Sequence, residues 1–208
     1  GFYSPIDDLG PTREAKASAI LDELADQWAA GGYDVKWLFR TLMNTQAYQR
    51  RIRSTFSEAG RTSFAANTVS RMRGEQIVEA VEDALGVKLA GQGGRGALRG
   101  PKALFHVDPS TPADEVQPTI PQALFLMNDP KVQAGISGKN NLAAQVLRIA
   151  PNEVFAMEAI YLRVLARHPT KAEGKVFLDS YLRGRPRIEA YEDLVWALIN
   201  SAEFQSRH

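Results

Sequence analysis

The sequence predicts an all-α fold, and three observations carry that prediction. Apolar residues return at helical spacing in stretch after stretch, start and stop residues flank those stretches, and no segment sustains the alternation of a strand. The expected architecture is an irregular multi-helix bundle with a C-terminal helical hairpin and a Gly/Arg-rich loop. The chain is expected to be one all-α domain over 1–208, the C-terminal fragment of a larger multidomain protein, with mobile segments at about 51–70 and 86–118.

Leu21, Leu24, Ala25 and Trp28 form the first apolar stripe. Thr12 after Pro11 is the expected N-cap and Gly31–Gly32 the stop. Asp34 caps a second helix with the stripe Val35, Leu38, Phe39, Leu42. The segment 46–75 carries Arg50, Arg51, Arg53, Arg61, Arg71 and Arg73 against Glu58 and Glu75, and its period weakens. A third helix over about 74–85 aligns Val78, Val81 and Leu85 and ends at Gly86. "GVKLAGQGGRGALRGPK" (86–102) holds six glycines and four cations without an acid, which predicts a loop. Thr119 and Gln122 form a capping box opening "TIPQALFLMN", and Pro130 sits in the first turn of the next helix. Asn152 caps a helix to about Arg167 whose apolar residues cover most of its circumference, the pattern of a buried central helix. His168–Pro169 breaks it, and Thr170 with Glu173 restarts the chain through a second capping box, making a hairpin. A final helix carries Leu194, Val195, Leu198 and Ile199.

Composition sets the limits. A chain of 208 residues should bury roughly 70% of its unfolded surface. Its 44% apolar and 24% charged content is that of an ordinary globular protein, and a net charge of +1 supplies no global pull toward polyanions. Zero cysteines exclude disulfides, thiolate metal sites and a cysteine nucleophile from these residues. No apolar run approaches the ~18 residues of a membrane span.

One signature is written twice. Aligning Asn44 with Asn200 matches Leu38/Leu194, Leu42/Leu198, Thr45/Ser201, Tyr48/Phe204 and Gln49/Gln205, with a partial copy in "LMND" at 126–129. The expected role is a helix–break–turn device. The leucines hold the helix on the core, Asn44 and Asn200 take the left-handed conformation, Thr45 and Ser201 cap the following turn, and the aromatic folds back on the same core. The alternative is a paired ligand site.

"GFYSPIDDLGP", "GGYDVKWLFRTLMNTQAYQR", "TIPQALFLMND", "IYLRVLARHPTKAE" and "DLVWALINSAEF", in that order, resemble a planctomycete-enriched domain of unknown function. It is the PSD-type C-terminal domain that lies downstream of planctomycete cytochrome-type (PSCyt) domains. The resemblance implies an exported protein, extracytoplasmic at the periplasm or cell surface, with haem c in an upstream domain and no cofactor in this chain. In many relatives it implies a polysaccharide-using context. Two positions depart from the family's pattern: Ala17–Ser18 stand where relatives often have His-Pro, and His168 stands where they often have Pro.

The chemistry is sparse. His106 lies two residues from Asp108, a pair that can serve acid–base catalysis, although "DPS" is also an ordinary turn. Asp7–Asp8 are adjacent carboxylates, but Ca²⁺ needs several more oxygens than the neighbouring sequence offers. "GISGKNN" (135–141) imitates a phosphate loop without its first glycine, its Ser/Thr or a preceding strand. The basic segments are the strongest lead: Arg50, Arg51, Arg53, Arg95, Arg99 and Lys102 would bind an anion if they converged, against a simpler role as solvated or ion-paired surface. The first expectation is therefore a helical scaffold or interaction module without catalysis, with the upstream domains of its own chain as partners and no specific nucleic acid. The alternatives are a polyanion or acidic-polysaccharide binder and part of a hydrolase site that would join Asp7, Asp8, His106 and Asp108 and be completed by an upstream domain. The assigned structural caps are Asn44, Thr45, Asn200, Ser201, Thr170 and Glu173.

Overall fold

The computed structural model describes residues 2–3, 10, 12–50, 52–53, 67–68, 70–89, 101–107 and 118–207. Most of 51–70 and 86–118, the segments expected to be mobile, lies outside them. The fold is all-α, and its only extended pieces among the described residues are two-residue strands. The chain divides into two compact units: Gly1–Ser70 with Pro109–Glu115 and His208, and Arg71–Asp108 with Val116–Arg207.

In the first unit, α1 is Ser18–Ala30 and α2 is Val35–Met43. Helix α1 carries four alanines and two leucines, good helix formers, but it starts later than Thr12 because Ala17 sits in the left-handed region at φ 56°. Its end is a Schellman motif. Gly32, at φ 71°, donates to Ala29 O (3.1 Å), Tyr33 donates to Trp28 O (2.9 Å), and the Trp28 and Tyr33 rings meet edge to face at 5.4 Å. Asp34 Oδ1 accepts from the Lys36 amide at 2.8 Å and starts α2. Neither helix contains a buried residue. The expected core stripe of α2 is instead open: Leu38 and Leu42 are half-buried and Phe39 is exposed. Further on, Ile52–Arg53 (β1) pairs in parallel with Asn67–Thr68 (β2).

The second unit holds the described core. Its elements are β3 (Ser70–Arg71), α3 (Gly74–Leu85), α4 (Pro101–Phe105), α5 (Ile120–Asn128), α6 (Pro130–Ser137), α7 (Leu142–Ile149), α8 (Glu153–Leu165), α9 (Lys171–Lys175), α10 (Arg187–Ile199) and β4 (Ser206–Arg207). Between α9 and α10 a π-helical segment spans Val176–Tyr181. Helix α10 is central, packing on α6, α7 and α8, while α3 packs on α4 and α6. Ile77, Val81, Leu126, Val132, Ile160, Val195 and Ile199 are almost fully buried; removing each from water is worth ~1.5–3 kcal/mol before the entropy of ordering. Gly135 lets α6 approach α3, since a Cβ there would lie 2.8 Å from Leu85 Cβ and from Val87 Cγ1.

Polar groups pin the helix ends inside this core. Asn141 is buried, caps α7 by accepting from Ala144 N (2.7 Å), and donates to Glu192 of α10 at 2.5 Å. Arg163 of α8 donates to the last-turn carbonyls of Asp83 and Ala84 of α3, where a cation complements the helix dipole. The Tyr191 hydroxyl, fully buried, reaches Glu153 Oε2 at 2.8 Å and Glu153 O at 2.9 Å, and Arg187 Nε donates to Glu153 Oε1 at 2.8 Å. Burial pushes the Glu153 carboxyl up, but the hydrogen bonds from Arg187 and Tyr191 outweigh it and hold its pKa below the usual range.

The central-helix expectation for α8 needs correction. Met157, Ile160, Tyr161, Val164 and Leu165 are buried, but Phe155 is 46% and Leu162 45% exposed. An all-round apolar pattern exceeds what one helix at the edge of this core can cover.

Candidate functional site

A cleft of about 590 Å³ opens beside α8 and α10, walled on its other side by α9 and the π-helical segment. Ala172, Val176, Phe177, Leu194, Trp196 and Ala197 give it an apolar floor and walls, with Tyr161 and Tyr181 beside them. The local sequence explains why these side chains gather. Along α10, Ala190, Tyr191, Leu194, Val195, Leu198 and Ile199 turn into the core, which leaves Asp193, Trp196 and Ala197 outside it. Residues four apart share a face in an α-helix and still do so in a π-helix. Phe177 and Tyr181 accordingly stack at 6.2 Å, and Phe177 meets Tyr191 edge to face at 5.0 Å. The π geometry is carried by the Leu182 amide donating to Phe177 O, five residues back, at 2.9 Å.

Two carboxylates line the cleft, Glu173 and Asp193. Beside the first, Arg167 is held between two glutamates. Nε and Nη2 donate to Glu203 at 2.5 and 2.8 Å, while Nη1 and Nη2 donate to Glu173 at 3.0 and 2.8 Å. The fifth bond goes to His168 O at 3.0 Å, and the guanidinium lies 5.4 Å from the Tyr161 ring centre. Glu173 Oε2 also accepts from the Thr170 amide at 2.6 Å, and Thr170 Oγ1 accepts from the Glu173 amide at 3.2 Å. Glu203 and Glu173 raise the Arg167 pKa, and Arg167 draws the Glu173 carboxyl down to about 2. At the second carboxylate, Tyr181 donates to Asp193 Oδ2 at 2.7 Å, which raises the tyrosine's pKa. Arg185 lies over the Tyr181 ring at 4.4 Å and 3.5 Å from Asp193.

A general acid or base works best with a pKa near the operating pH, and Glu173 lies far below it with its oxygens already engaged. Asp193 is the more accessible charge, about half-exposed. Among the described residues no group of three or more His, Asp or Glu could hold a metal ion, and no helix is long and apolar enough to cross a membrane.

Little of the predicted anion site can be placed. Arg51, Arg95 and Arg99, and the side chains of Arg53 and Lys102, lie outside the described residues, as do Asp7, Asp8 and Asp108. Arg50 is exposed. His106 is exposed, with Nδ1 3.9 Å from Glu75 Oε1. Arg71 meets amides: Nη2 donates to Gln122 Oε1 (2.9 Å) and Gln205 Oε1 (2.7 Å), and burial lowers its pKa.

The repeated signature is a local hydrogen-bonding device in all three copies. Asn44, Asn128 and Asn200 each donate Nδ2 to the carbonyl four residues back, at 2.8, 3.1 and 2.9 Å. Thr45 and Ser201 donate to Leu42 O and Leu198 O and accept from Tyr48 N and Phe204 N. Asp129 accepts from the Lys131 and Val132 amides. Gln49 and Gln133 then reach back to Met43 O and Met127 O, whereas Gln205 turns to Arg71. Two expectations fail here. Asn44 and Asn200 have φ of −88° and −87°, so the side-chain amide, not a left-handed backbone, marks the helix end. Phe204 is buried but Tyr48 is 59% exposed, so only one aromatic folds onto a core.

The residues that line the cleft went unnoticed as a site in the sequence, apart from Leu194 and Tyr161 as core positions and Glu173 as a cap. The available signal was Trp196, an indole placed off the apolar stripe of its own helix.

No curated protein and no solved structure matches this chain. The cleft, formed by residues 161–197, and the C-terminal motifs lie beyond the matched family model, which bears out the resemblance over the N-terminal part. Residues 1–97 match the family model PSD1, a protein of unknown function (DUF1553).

Proposed function

We propose that the chain is a non-catalytic interaction module of an exported multidomain protein, and that its cleft takes an apolar group with a cationic end. The observation carrying this is the pairing of apolar walls with two lining carboxylates, Glu173 and Asp193, of which Asp193 is about half-exposed. Recognition sites of this kind are mostly apolar, with a few polar groups that set orientation. The exported setting rests on the family resemblance, and cell fractionation of the native host tests it.

The ligand claim is tested by thermal melts with two probes of equal body and opposite charge, 4-phenylbutylamine and 4-phenylbutyrate. At 100-fold over its dissociation constant the amine should stabilise by ~2.7 kcal/mol, a rise of roughly 5–10 °C for a chain of this size. The acid should give no rise. Ala197→Trp, which fills the cleft from an exposed position, should abolish the effect, and Asp193→Asn should weaken it. Equal shifts with both probes, or a shift surviving Ala197→Trp, would contradict the proposal. A salt-sensitive shift with heparin alone would favour the arginine clusters instead.

A further inference from the structure

Three tyrosines stand at or beside the cleft, and two of their hydroxyls are engaged. Tyr181 donates to Asp193 and Tyr191 to Glu153. The hydroxyl of Tyr161 has no hydrogen-bond partner among the described residues. What meets its ring is the Arg167 guanidinium, whose five N–H groups all bond elsewhere. Tyr161 is only 4% exposed, and polar groups buried this deeply are nearly always hydrogen-bonded. Among the described residues Trp28 Nε1 alone is both sealed from solvent and without a partner. The Tyr161 hydroxyl therefore keeps a little open surface, and Tyr161 lines the cleft. The cleft is the way to it. Burial pushes its pKa up and the charge of Glu173 adds to that, so the hydroxyl keeps its proton at neutral pH.

On the footing that the cleft binds an apolar group with a cationic end, we infer that Tyr161 sets its specificity by donating a hydrogen bond to a neutral oxygen of the bound amine. An apolar surface laid over that hydroxyl would leave it unpaired, which weakens binding. A ligand oxygen that accepts from it removes the penalty. The oxygen must be neutral, because Glu173 and Asp193 line the same cleft and repel an anion. An amide carbonyl meets both requirements. The ligand class therefore narrows from simple arylalkyl amines to amines that also carry an amide, the chemistry of a peptide with a basic residue beside an apolar one.

The test is calorimetric titration of the full chain with 4-phenylbutylamine and with two amides of the same tether length, N-benzoylethylenediamine and β-alanine anilide. At least one amide should bind roughly five- to tenfold more tightly than 4-phenylbutylamine. Tyr161→Phe should erase that gain and leave 4-phenylbutylamine bound as tightly or more so. Thermal melts supply a second arm. Tyr161→Phe should melt where the native chain does, since no bond is lost, whereas Tyr191→Phe loses its bonds to Glu153 and should melt lower. With 4-phenylbutylamine still binding, three results would overturn the inference: no gain with either amide, a gain that survives Tyr161→Phe, or a Tyr161→Phe melt lowered as far as that of Tyr191→Phe. No binding by any of the three probes would sink the cleft reading and the role of Tyr161 with it.

Discussion

Arg167 uses all five of its N–H donors, four on two carboxylates and one on a carbonyl. A planar fork can do this and an ammonium cannot. Arg167→Lys should therefore lower stability by ~1–3 kcal/mol in denaturant titrations, the worth of charge-assisted bonds left unmade. The pH dependence has a definite sign. Glu173 has a folded pKa of about 2, below the ordinary glutamate value near ~4.3. Its contribution is thus fully present above the ordinary value and is lost as pH falls toward 2. Glu173→Gln should flatten the stability profile between those limits; an unchanged profile would place the acid sensitivity elsewhere. Gly135→Ala is a steric test of the same kind. Its new methyl group must displace Leu85 and Val87 at 2.8 Å, and a loss of ~1–3 kcal/mol is expected.

At the scale of the element, what could be read from the sequence was chiefly how helices begin and end. Asp34, Thr119 with Gln122, Pro130, Asn152 and Thr170 with Glu173 stand at the helix starts they announce, because a cap satisfies orphan amides within its own few residues. Gly86, at φ 68°, ends α3 where expected. Other elements were missed. Helix α7 has a cap of the same kind in Asn141, but that residue lies inside a stretch dominated by its likeness to a phosphate loop. Helix α4 has only five residues, and the π segment differs from an α-helix only in which carbonyl each amide meets. The repeated signature can be tested at this scale. Ser201 is half-buried and caps the Phe204 amide at 3.1 Å, so Ser201→Ala should cost ~1 kcal/mol in the unfolding of the second unit. A change below ~0.3 kcal/mol would mean that water replaces the hydroxyl without loss.

At the scale of the molecule, the fold class was legible and the distribution of its surfaces was not. Apolar period shows that a helix has a face, but not whether anything covers it. The stripes of α2 and α10 look alike in sequence, yet Leu194 and Leu198 are buried while Leu38 and Leu42 are half-buried. The cleft was hidden for a related reason. Its walls come from α8, from the chain after the Thr170 cap and from α10, and only packing brings Val176 and Trp196 to one opening. None of the described residues of the arginine-rich segments, which drew attention by composition, lines that opening. Binding in the cleft is the central claim, and its most direct measurement is a ¹H–¹⁵N correlation spectrum of the full chain titrated with 4-phenylbutylamine. Saturating shifts confined to the amides of Ala172, Glu173, Val176, Phe177, Tyr181, Asp193, Trp196 and Ala197 are predicted. Shifts scattered over the surface, or none, would contradict it.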